Sequence, residues 1–197
     1  MENKFFEIKK INQESEKKKA SEQWTSKHLE VHFQKVGVLE KSNLSIPNPG
    51  EISFLQSDTA FNAFTFLTFV AKNYSIKELY ASTYSISQRV VDSLIELHDC
   101  GRIERITLLV SESLIKRNPL TIDNLLSMVK TRPNIKVMFT WNHSKICLME
   151  TNEAFFVVEG SGNWSENAQF EQYVFANDKE IFDFRKSLFT DSNFKEY

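Results

Sequence analysis

The chain has 197 residues, of which 41% are hydrophobic and 25% are charged, and its net charge is −2. This length and composition fit one well-buried globular domain with an extension. The small net charge excludes a protein-wide field that attracts nucleic acid, so any polyanion must bind to a local patch. The 17 phenylalanines indicate either a bulky aromatic core or an apolar surface that meets a partner.

The first 45 residues are predicted to form a polar extension that precedes a domain over residues 46–197. Residues 1–22 are rich in lysine and favour a solvated leader, with a basic arm that contacts phosphates as the alternative. Residues 28–36 alternate apolar and polar side chains, which predicts a half-buried strand. His28 and His32 would share the polar face of this strand, too far apart to chelate a metal easily.

The two cysteines, Cys100 and Cys147, lie far apart in the sequence. A disulfide between them is one interpretation. However, the first 20 residues lack the apolar stretch of a secretory signal, which favours reduced cysteines in a cytoplasmic protein. The richest apolar run, residues 60–71, is too short and too often interrupted by polar residues to span a bilayer. We therefore expect a cytoplasmic protein without a membrane span.

From residue 50 onward, patterns typical of strands and helices alternate. Strands are predicted at residues 52–55, 79–86, 106–110, 135–141, 154–159 and 172–176. Helices are predicted from a cap at Ser57 or Asp58 to about Lys72, from the cap Ser87 to Gly101, from Asn118-Pro119 to Arg132-Pro133, and over residues 179–189. This order predicts an α/β fold with a central mixed sheet flanked by helices, antiparallel around residues 143–160.

Two short segments place many phosphate-handling side chains together: His143-Ser-Lys145, and the turn at residues 160–163 with the sequence Gly-Ser-Gly-Asn. On a strand, His143 and Lys145 would point to the same face, while Ile146 and Leu148 would face a core. A second, antiparallel strand would return the small-residue turn to the imidazole and the ammonium group. These groups around one anion-sized space predict a phosphoryl-transfer pocket.

The same residues resemble the signature of the phospholipase D superfamily, His-x-Lys-(x)4-Asp followed by Gly-Ser-x-Asn. His143 and Lys145 match its first half, although Glu150 stands where the family usually has Asp. The second half is matched by Gly160, Ser161 and Asn163. Glu171 occupies the place of a downstream acid that orients the histidine in the family. The motif lies in the last third of the chain, and the order of elements extends the resemblance back to residue 50.

The resemblance implies that residues 46–197 form a phospholipase D-like catalytic domain. A histidine nitrogen would attack the phosphodiester and form a phosphohistidine, a second histidine would protonate the leaving oxygen, and water would resolve the intermediate. Lys145 and Asn163 would hold the non-bridging oxygens with help from Ser161, and Glu171 would accept a hydrogen bond from His143. The resemblance implies no metal and no cofactor, because lysine and amide groups stabilise the charge.

Several neighbouring residues receive lesser roles. We predict substrate contacts from three of them, Gly160, Gly162 and Trp164. A packed core position is the alternative for Trp164. Glu150 is expected to support the local structure in place of the family's aspartate, and Glu159 would either repel a phosphate or pair with Lys145.

The chain holds one copy of the motif, because none of the other histidines, His28, His32 and His98, is followed two residues later by lysine. The mechanism needs two imidazoles, so the resemblance implies a homodimer whose active site lies across a two-fold interface. A short chain with one motif resembles the nuclease-type members most, which makes DNA or RNA the expected substrate. The alternatives are a phospholipase, which would need an exposed apolar rim, and an inactive module that binds nucleic acid or protein.

Overall fold

The computed structural model describes residues 29–41, 44–57, 62–165, 170–190 and 194–196. The predicted leader and basic arm, His28, and the cap at Asp58 lie outside these described residues. The boundary between residues 45 and 46 stays a prediction. Within the described part, the chain forms one sheet of eight strands with helices on both faces.

The described helices are α1 (Glu30–Lys41), α2 (Ala63–Asn73), α3 (Gln88–Asp99), α4 (Ser113–Arg117), α5 (Pro119–Val129) and α6 (Lys179–Lys186), followed by a 3₁₀ helix, Ser187–Thr190. The strands are β1 (Ile52–Ser57), β2 (Ile76–Thr83), β3 (Ile103–Ser111), β4 (Ile135–Thr140), β5 (Ile146–Glu150), β6 (Phe155–Gly160), β7 (Glu171–Asn177) and β8 (Lys195–Glu196). The predicted α/β fold with a mixed sheet is confirmed.

The sheet has the strand order β1-β7-β6-β5-β2-β3-β4-β8. Strands β2, β3 and β4 are parallel, and they are connected by α3 and by α4 with α5. The strands β1, β7, β6 and β5 are antiparallel to their neighbours, and so is β8. The antiparallel section predicted around residues 143–160 is therefore present as the β5–β6 hairpin.

The end of the sheet at which β2, β3 and β4 finish, here called the carboxyl end, collects both motif segments. Ser82 in β2 pairs with Ile146, the first residue of β5. Ile146 pairs with Glu159 in β6, and Gly160 pairs with Tyr173 in β7. This register places the segment before β5 and the turn after β6 side by side. Loops at the carboxyl end of parallel strands are a common location for ligand sites.

Two hydrophobic cores lie on opposite faces of the sheet. The larger core includes residues of α1, α2, α3 and α5, and the smaller core includes Phe182 of α6 and Phe189 of the 3₁₀ helix. Strand β5 contributes Cys147 to the first core and Leu148 to the second, because successive side chains point to opposite faces. Most of the phenylalanines in the core are completely buried, whereas three others among the described residues are exposed: Phe54, Phe170 and Phe184.

The predicted helix ends are mostly confirmed. Ser87 Oγ accepts a hydrogen bond from the Val90 N–H, and Gly101 follows α3 with a φ of +76°. Asn118 Oδ1 accepts from the Thr121 N–H at the start of α5. Side chains of these types satisfy backbone donors that the first turn of a helix leaves without a partner.

The predicted strand over residues 28–36 is wrong, because residues 30–41 form α1. A short alternating pattern is also compatible with a helix, and here His32, Val36 and Leu39 are buried along one side. His32 therefore does not lie on a polar face. Its side chain is 2% exposed, and its ring packs at 4.7 Å from the ring of Phe64.

The helix α2 begins later than predicted. Ser57 is the last residue of β1, and Asn62 occupies the N-cap position of α2. All residues from Ala63 to Ala71 are buried, because α2 lies between α1 and the strands β5 and β6. Such a helix is apolar on all sides. Among the described residues, no helix is both long enough and apolar enough to cross a membrane.

The alternative of a disulfide is wrong, because both cysteines are free thiols. Cys100 is exposed at the end of α3, whereas Cys147 is fully buried in β5. Burial raises the pKa of the Cys147 thiol, so it behaves as an apolar core side chain.

The buried imidazole of His32 predicts acid sensitivity. Burial, with Lys35 and Arg89 nearby, lowers its pKa from 6.5 to about 4. Below pH 6.5 the unfolded chain binds a proton that the folded chain does not bind, so stability falls from pH 6.5 towards pH 4. His32→Leu should remove this loss, which amounts to about 2 kcal/mol at pH 5.

Urea unfolding at pH 7.5 and pH 5 measures this effect. The wild-type protein should lose more stability between the two pH values than His32→Leu does. His143→Ala, which alters an exposed histidine, serves as the control and should keep the wild-type pH dependence. Equal losses for wild type and His32→Leu would contradict the prediction.

Candidate active site

A cleft of about 630 Å³ opens at the carboxyl end of the sheet. Its lining includes Tyr84 after β2, residues 143–146 before and at the start of β5, and residues 159–161 at the end of β6. Asn163 and Arg185 complete the lining. The structure therefore brings four of the predicted catalytic residues to one open space.

The buried side chain of Asn142 fixes the segment that carries His143. Its amide donates hydrogen bonds to Ser82 Oγ (3.0 Å) and to the Leu109 carbonyl (3.2 Å). Its Oδ1 accepts hydrogen bonds from the backbone N–H (2.9 Å) and the hydroxyl (2.7 Å) of Ser144. The ends of β2 and β3 thus hold both neighbours of His143 in place. The His143 side chain itself is left exposed towards the cleft.

The predicted placement of His143 and Lys145 on a strand is wrong, because both precede the first residue of β5. Their side chains nevertheless meet. Lys145 Nζ lies 3.3 Å from His143 Nδ1 and donates a hydrogen bond to the His143 carbonyl at 2.9 Å. An ammonium group can only donate, so Nδ1 accepts, and the neutral imidazole carries its proton on Nε2.

The Lys145 ammonium is partly withdrawn from water. Burial lowers its pKa, while Glu171 and Tyr84 oppose that change. The cleft therefore places a partly desolvated cation beside an imidazole. Partial removal of water strengthens the attraction between such a cation and phosphate oxygens.

Ser161 and Glu171 form a second pair at the cleft. Ser161 Oγ donates a short hydrogen bond to Glu171 Oε2 and accepts one from the Gln172 N–H at 3.0 Å. The predicted hydrogen bond from His143 to Glu171 is not formed between these two described residues; Lys145 occupies Nδ1 instead. Glu171 is close enough to Lys145 to influence its pKa.

Gly160 is required where β6 approaches β7. A Cβ atom at this position would lie 2.6 Å from Cδ1 of the Tyr173 ring and would also collide with the Gln172 carbonyl oxygen. The missing side chain lets the chain pass close to β7 and turn into Ser161. Close packing of β6 on β7 therefore requires a glycine at this motif position, and the same residue also lines the cleft.

Tyr84 joins the site from the end of β2. Its ring lies 4.7 Å from the His143 ring at an interplanar angle of 42°. The guanidinium of Arg117 lies over the same Tyr84 ring at 4.3 Å from its centroid. Aromatic and cationic groups at these distances attract each other. The orientation of His143 is therefore supported by Tyr84 as well as by Lys145.

No family model and no curated protein sequence matches the chain. Among solved structures, a phosphatidylserine synthase from Haemophilus influenzae Rd KW20 matches with a TM-score of 0.55 and 10% identity over 74% of this chain and 40% of that protein. A polyphosphate kinase from Porphyromonas gingivalis matches with a TM-score of 0.54 and 12% identity over 71% of this chain and 25% of that protein. The chain thus spans less than half the length of either protein.

Both matched structures have phospholipase D-like folds. This chain shares that fold. The resemblance noted in the sequence is confirmed at the level of the fold, and the roles of the site residues stay predictions. In this phospholipase D-like fold, the segment before β5 and the turn after β6 form adjoining walls of one cleft.

The two acidic residues that depart from the phospholipase D pattern have structural partners. Glu150 lies at the far end of β5, where it faces Lys186 Nζ at 3.8 Å. Glu159 does not pair with Lys145 as one interpretation held. It accepts two hydrogen bonds from Arg185, at 2.5 and 2.8 Å. Arg185 thus balances the negative charge of Glu159 at the wall of the cleft.

Trp164 occupies the packed core position that was the alternative to a substrate contact. Its side chain is 1% exposed and packs edge-to-face on Phe64, with ring centroids 5.4 Å apart. Its backbone N–H donates to the Ser85 carbonyl, so Trp164 fastens the turn to the segment after β2. Gly162 is buried and does not belong to the cleft lining, in contrast to Gly160.

Two residues that line the cleft, Tyr84 and Arg185, and two that contact its lining from outside, Arg117 and Asn142, were not predicted from the sequence. Tyr84 was assigned to the predicted strand over residues 79–86, and its place at the carboxyl end of a strand was the available signal. Asn142 is adjacent to the motif, and a buried asparagine beside an active residue often fixes the backbone. Arg117 and Arg185 reach the site from helices, and no spacing in the sequence indicates that.

Proposed function

We propose that this chain is a metal-independent phosphodiesterase that cleaves nucleic acid through a phosphohistidine in a homodimeric active site. One observation carries the proposal: the exposed imidazole of His143 shares a cleft with Lys145, Ser161 and Asn163. These are a nucleophile, a cation, a hydroxyl and an amide. This set can bind a phosphodiester and attack its phosphorus atom.

In the first step, Lys145 leaves His143 Nδ1 and donates to a non-bridging oxygen of the substrate. This exchange frees the imidazole to move its proton to Nδ1, so that Nε2 carries a lone pair. Nε2 then forms a bond to phosphorus while the bond from phosphorus to the leaving oxygen breaks. Ser161 and Asn163 donate to the oxygens on which negative charge develops.

A second imidazole, from His143 of the partner subunit, must enter this step as an imidazolium; it donates its Nε2 proton to the leaving oxygen and becomes neutral. The same imidazole then takes a proton from water as that water attacks phosphorus and breaks the bond to His143. Each chain supplies one motif histidine, so a complete site requires two chains related by a two-fold axis. This requirement is the reason for proposing a homodimer.

A lipid-directed activity is the second candidate. Trp141 and Phe170 stand at the carboxyl end of the sheet, with 81% and 72% of their surfaces exposed. Exposed aromatic side chains near a cleft fit an apolar substrate or a lipid surface. Phosphatidylserine synthase, one of the two matched structures, fits the same candidate. Vesicles of phosphatidylcholine therefore belong in the first substrate panel.

The experiment measures cleavage of labelled single-stranded DNA, double-stranded DNA, RNA and phosphatidylcholine vesicles by the purified protein. Within the described residues, no cluster of three or more His, Cys, Asp or Glu side chains is placed to hold a metal ion. We expect oligonucleotide cleavage at an unchanged rate in excess EDTA, because Lys145 supplies the positive charge.

Loss of cleavage in EDTA, with recovery on addition of Mg²⁺ or Zn²⁺, would show that the chemistry depends on a metal. Cleavage of the lipid without cleavage of any oligonucleotide would favour the second candidate. Binding of oligonucleotides without turnover of any substrate would leave a phospholipase D-like binding module.

A further inference from the structure

Arg117 is held in a fixed position beside the cleft. It ends the short helix α4, which follows β3 at the carboxyl end of the sheet. Its Nη2 donates to the Tyr84 carbonyl at 3.2 Å and to Ser113 Oγ at 3.4 Å. Its guanidinium carbon lies over the Tyr84 ring, and the His143 ring is a neighbour of the same tyrosine. Three contacts thus orient an exposed cation one aromatic ring away from the predicted nucleophile.

The charge of Arg117 remains available to a ligand. Arg185 at the cleft wall is engaged by Glu159, whereas no carboxylate of the described residues lies within ion-pair distance of Arg117. Its hydrogen bonds within the described residues use Nη2 only. The N–H groups of Nε and Nη1 are therefore available to donate hydrogen bonds to phosphate oxygens. A hydrogen bond from a charged guanidinium to a phosphate oxygen is stronger than one between neutral groups.

We propose that Arg117 binds the phosphate next to the one that is cleaved. This inference rests on the proposed function and specifies its substrate as a chain of several phosphodiesters. The guanidinium carbon of Arg117 lies 4.3 Å from the centroid of the Tyr84 ring, and the centroid of the His143 ring lies 4.7 Å from it. The two side chains are therefore close enough to contact two consecutive phosphates of one strand. A phospholipid has a single phosphodiester and leaves Arg117 without a ligand.

The test compares a dinucleotide, which has one phosphodiester, with a trinucleotide, which has two, neither carrying terminal phosphates. The trinucleotide is labelled at each end in turn, so that a second phosphate on either side is detected. We expect the wild-type protein to have a kcat/KM about tenfold higher for the trinucleotide, because a charge-assisted hydrogen bond is gained. Arg117→Gln should remove this preference and leave the rate on the dinucleotide unchanged.

Lys116→Gln provides the matched control, because it removes the neighbouring exposed cation on the same helix. It should retain the preference for the trinucleotide. An equal loss on both substrates in Arg117→Gln would overturn the inference, because Arg117 would then act through Tyr84 on His143. An unchanged preference in Arg117→Gln would overturn it as well. A wild-type protein that cleaves neither substrate, nor any longer oligonucleotide, contradicts the proposed function itself.

Discussion

His143→Ala should reduce the rate of phosphodiester cleavage by at least about 10⁴-fold, because it removes the proposed nucleophile of one chain and the proposed acid of the other. The fold should persist. The imidazole is exposed, and the backbone on either side is held by Asn142 rather than by the ring. The measurement is single-turnover cleavage of a labelled oligonucleotide, together with thermal unfolding of the same preparation. A cleavage rate near that of the wild type would end the catalytic interpretation.

Mixing the two proteins tests whether the site is shared. If every active site needs an imidazole from each chain, a dimer of one wild-type and one His143→Ala chain is inactive. In an equimolar mixture that has exchanged subunits, about one quarter of the dimers contain two wild-type chains. The mixture should therefore have about one quarter of the activity of wild-type protein at the same total concentration, rather than about one half. Retention of one half, or a stable monomer in sedimentation, would mean that each chain works alone. A quench at alkaline pH, which preserves phosphohistidine, should trap the intermediate only with wild-type chains.

Much of the fold could be predicted from the sequence because local signals and tertiary packing agree there. Ser87, Gly101 and Asn118 act at helix ends as their residue types predict. The apolar run at residues 106–110 is a strand buried between helices, as its composition indicates. Agreement between local preference and global packing is the condition under which sequence patterns are reliable.

The first described helix could not be predicted for the opposite reason. Residues 28–36 alternate in polarity for a stretch too short to distinguish a strand from a helix. Packing of α1 against α2 decides between them, and it buries His32 against Phe64. That contact depends on residues 32 positions apart in the sequence. The same limitation explains the late start of α2 at Ala63.

Four of the residues predicted for the site line one cleft, but the contacts of their side chains could be predicted only in part. The motif residues meet because β5 and β6 form the expected hairpin. The partner of each polar side chain, however, depends on elements that are distant in sequence. Arg185 of α6 forms an ion pair with Glu159. Trp164 points into the core because its ring packs against Phe64 of α2. Only the arrangement of helices around the sheet determines these choices.

The hydrogen bonds at the cleft define a resting state that differs from the reactive one. At rest, Lys145 donates to His143 Nδ1 and Ser161 donates to Glu171. In the proposed reaction, Lys145 and Ser161 both turn to the phosphate. Glu171 then loses its hydroxyl partner, and His143 Nδ1 acquires a proton that needs an acceptor. The exchange leaves Glu171 and the imidazole to pair with each other.

Glu171→Gln should therefore lower the rate of cleavage by about 10²–10⁴-fold without abolishing it. The amide cannot stabilise the imidazolium or enforce the tautomer with its proton on Nδ1, but the nucleophile remains. Combined with His143→Ala, the substitution should cost nothing more, because it acts only through the imidazole. Single-turnover rates of the two single variants and the double variant provide this comparison.

Glu159→Gln is the matched control for Glu171→Gln, because it removes a carboxylate of the cleft lining that pairs with Arg185 and not with the motif residues. If Glu171 acted only through its charge on the bound phosphate, both substitutions would remove a repulsion, and both would speed cleavage. If it acts by orienting His143, Glu171→Gln alone slows cleavage by the predicted factor. Similar rates for Glu171→Gln and the wild type would show that Lys145 and Tyr84 suffice to hold the imidazole, and that the pairing of Ser161 with Glu171 is structural.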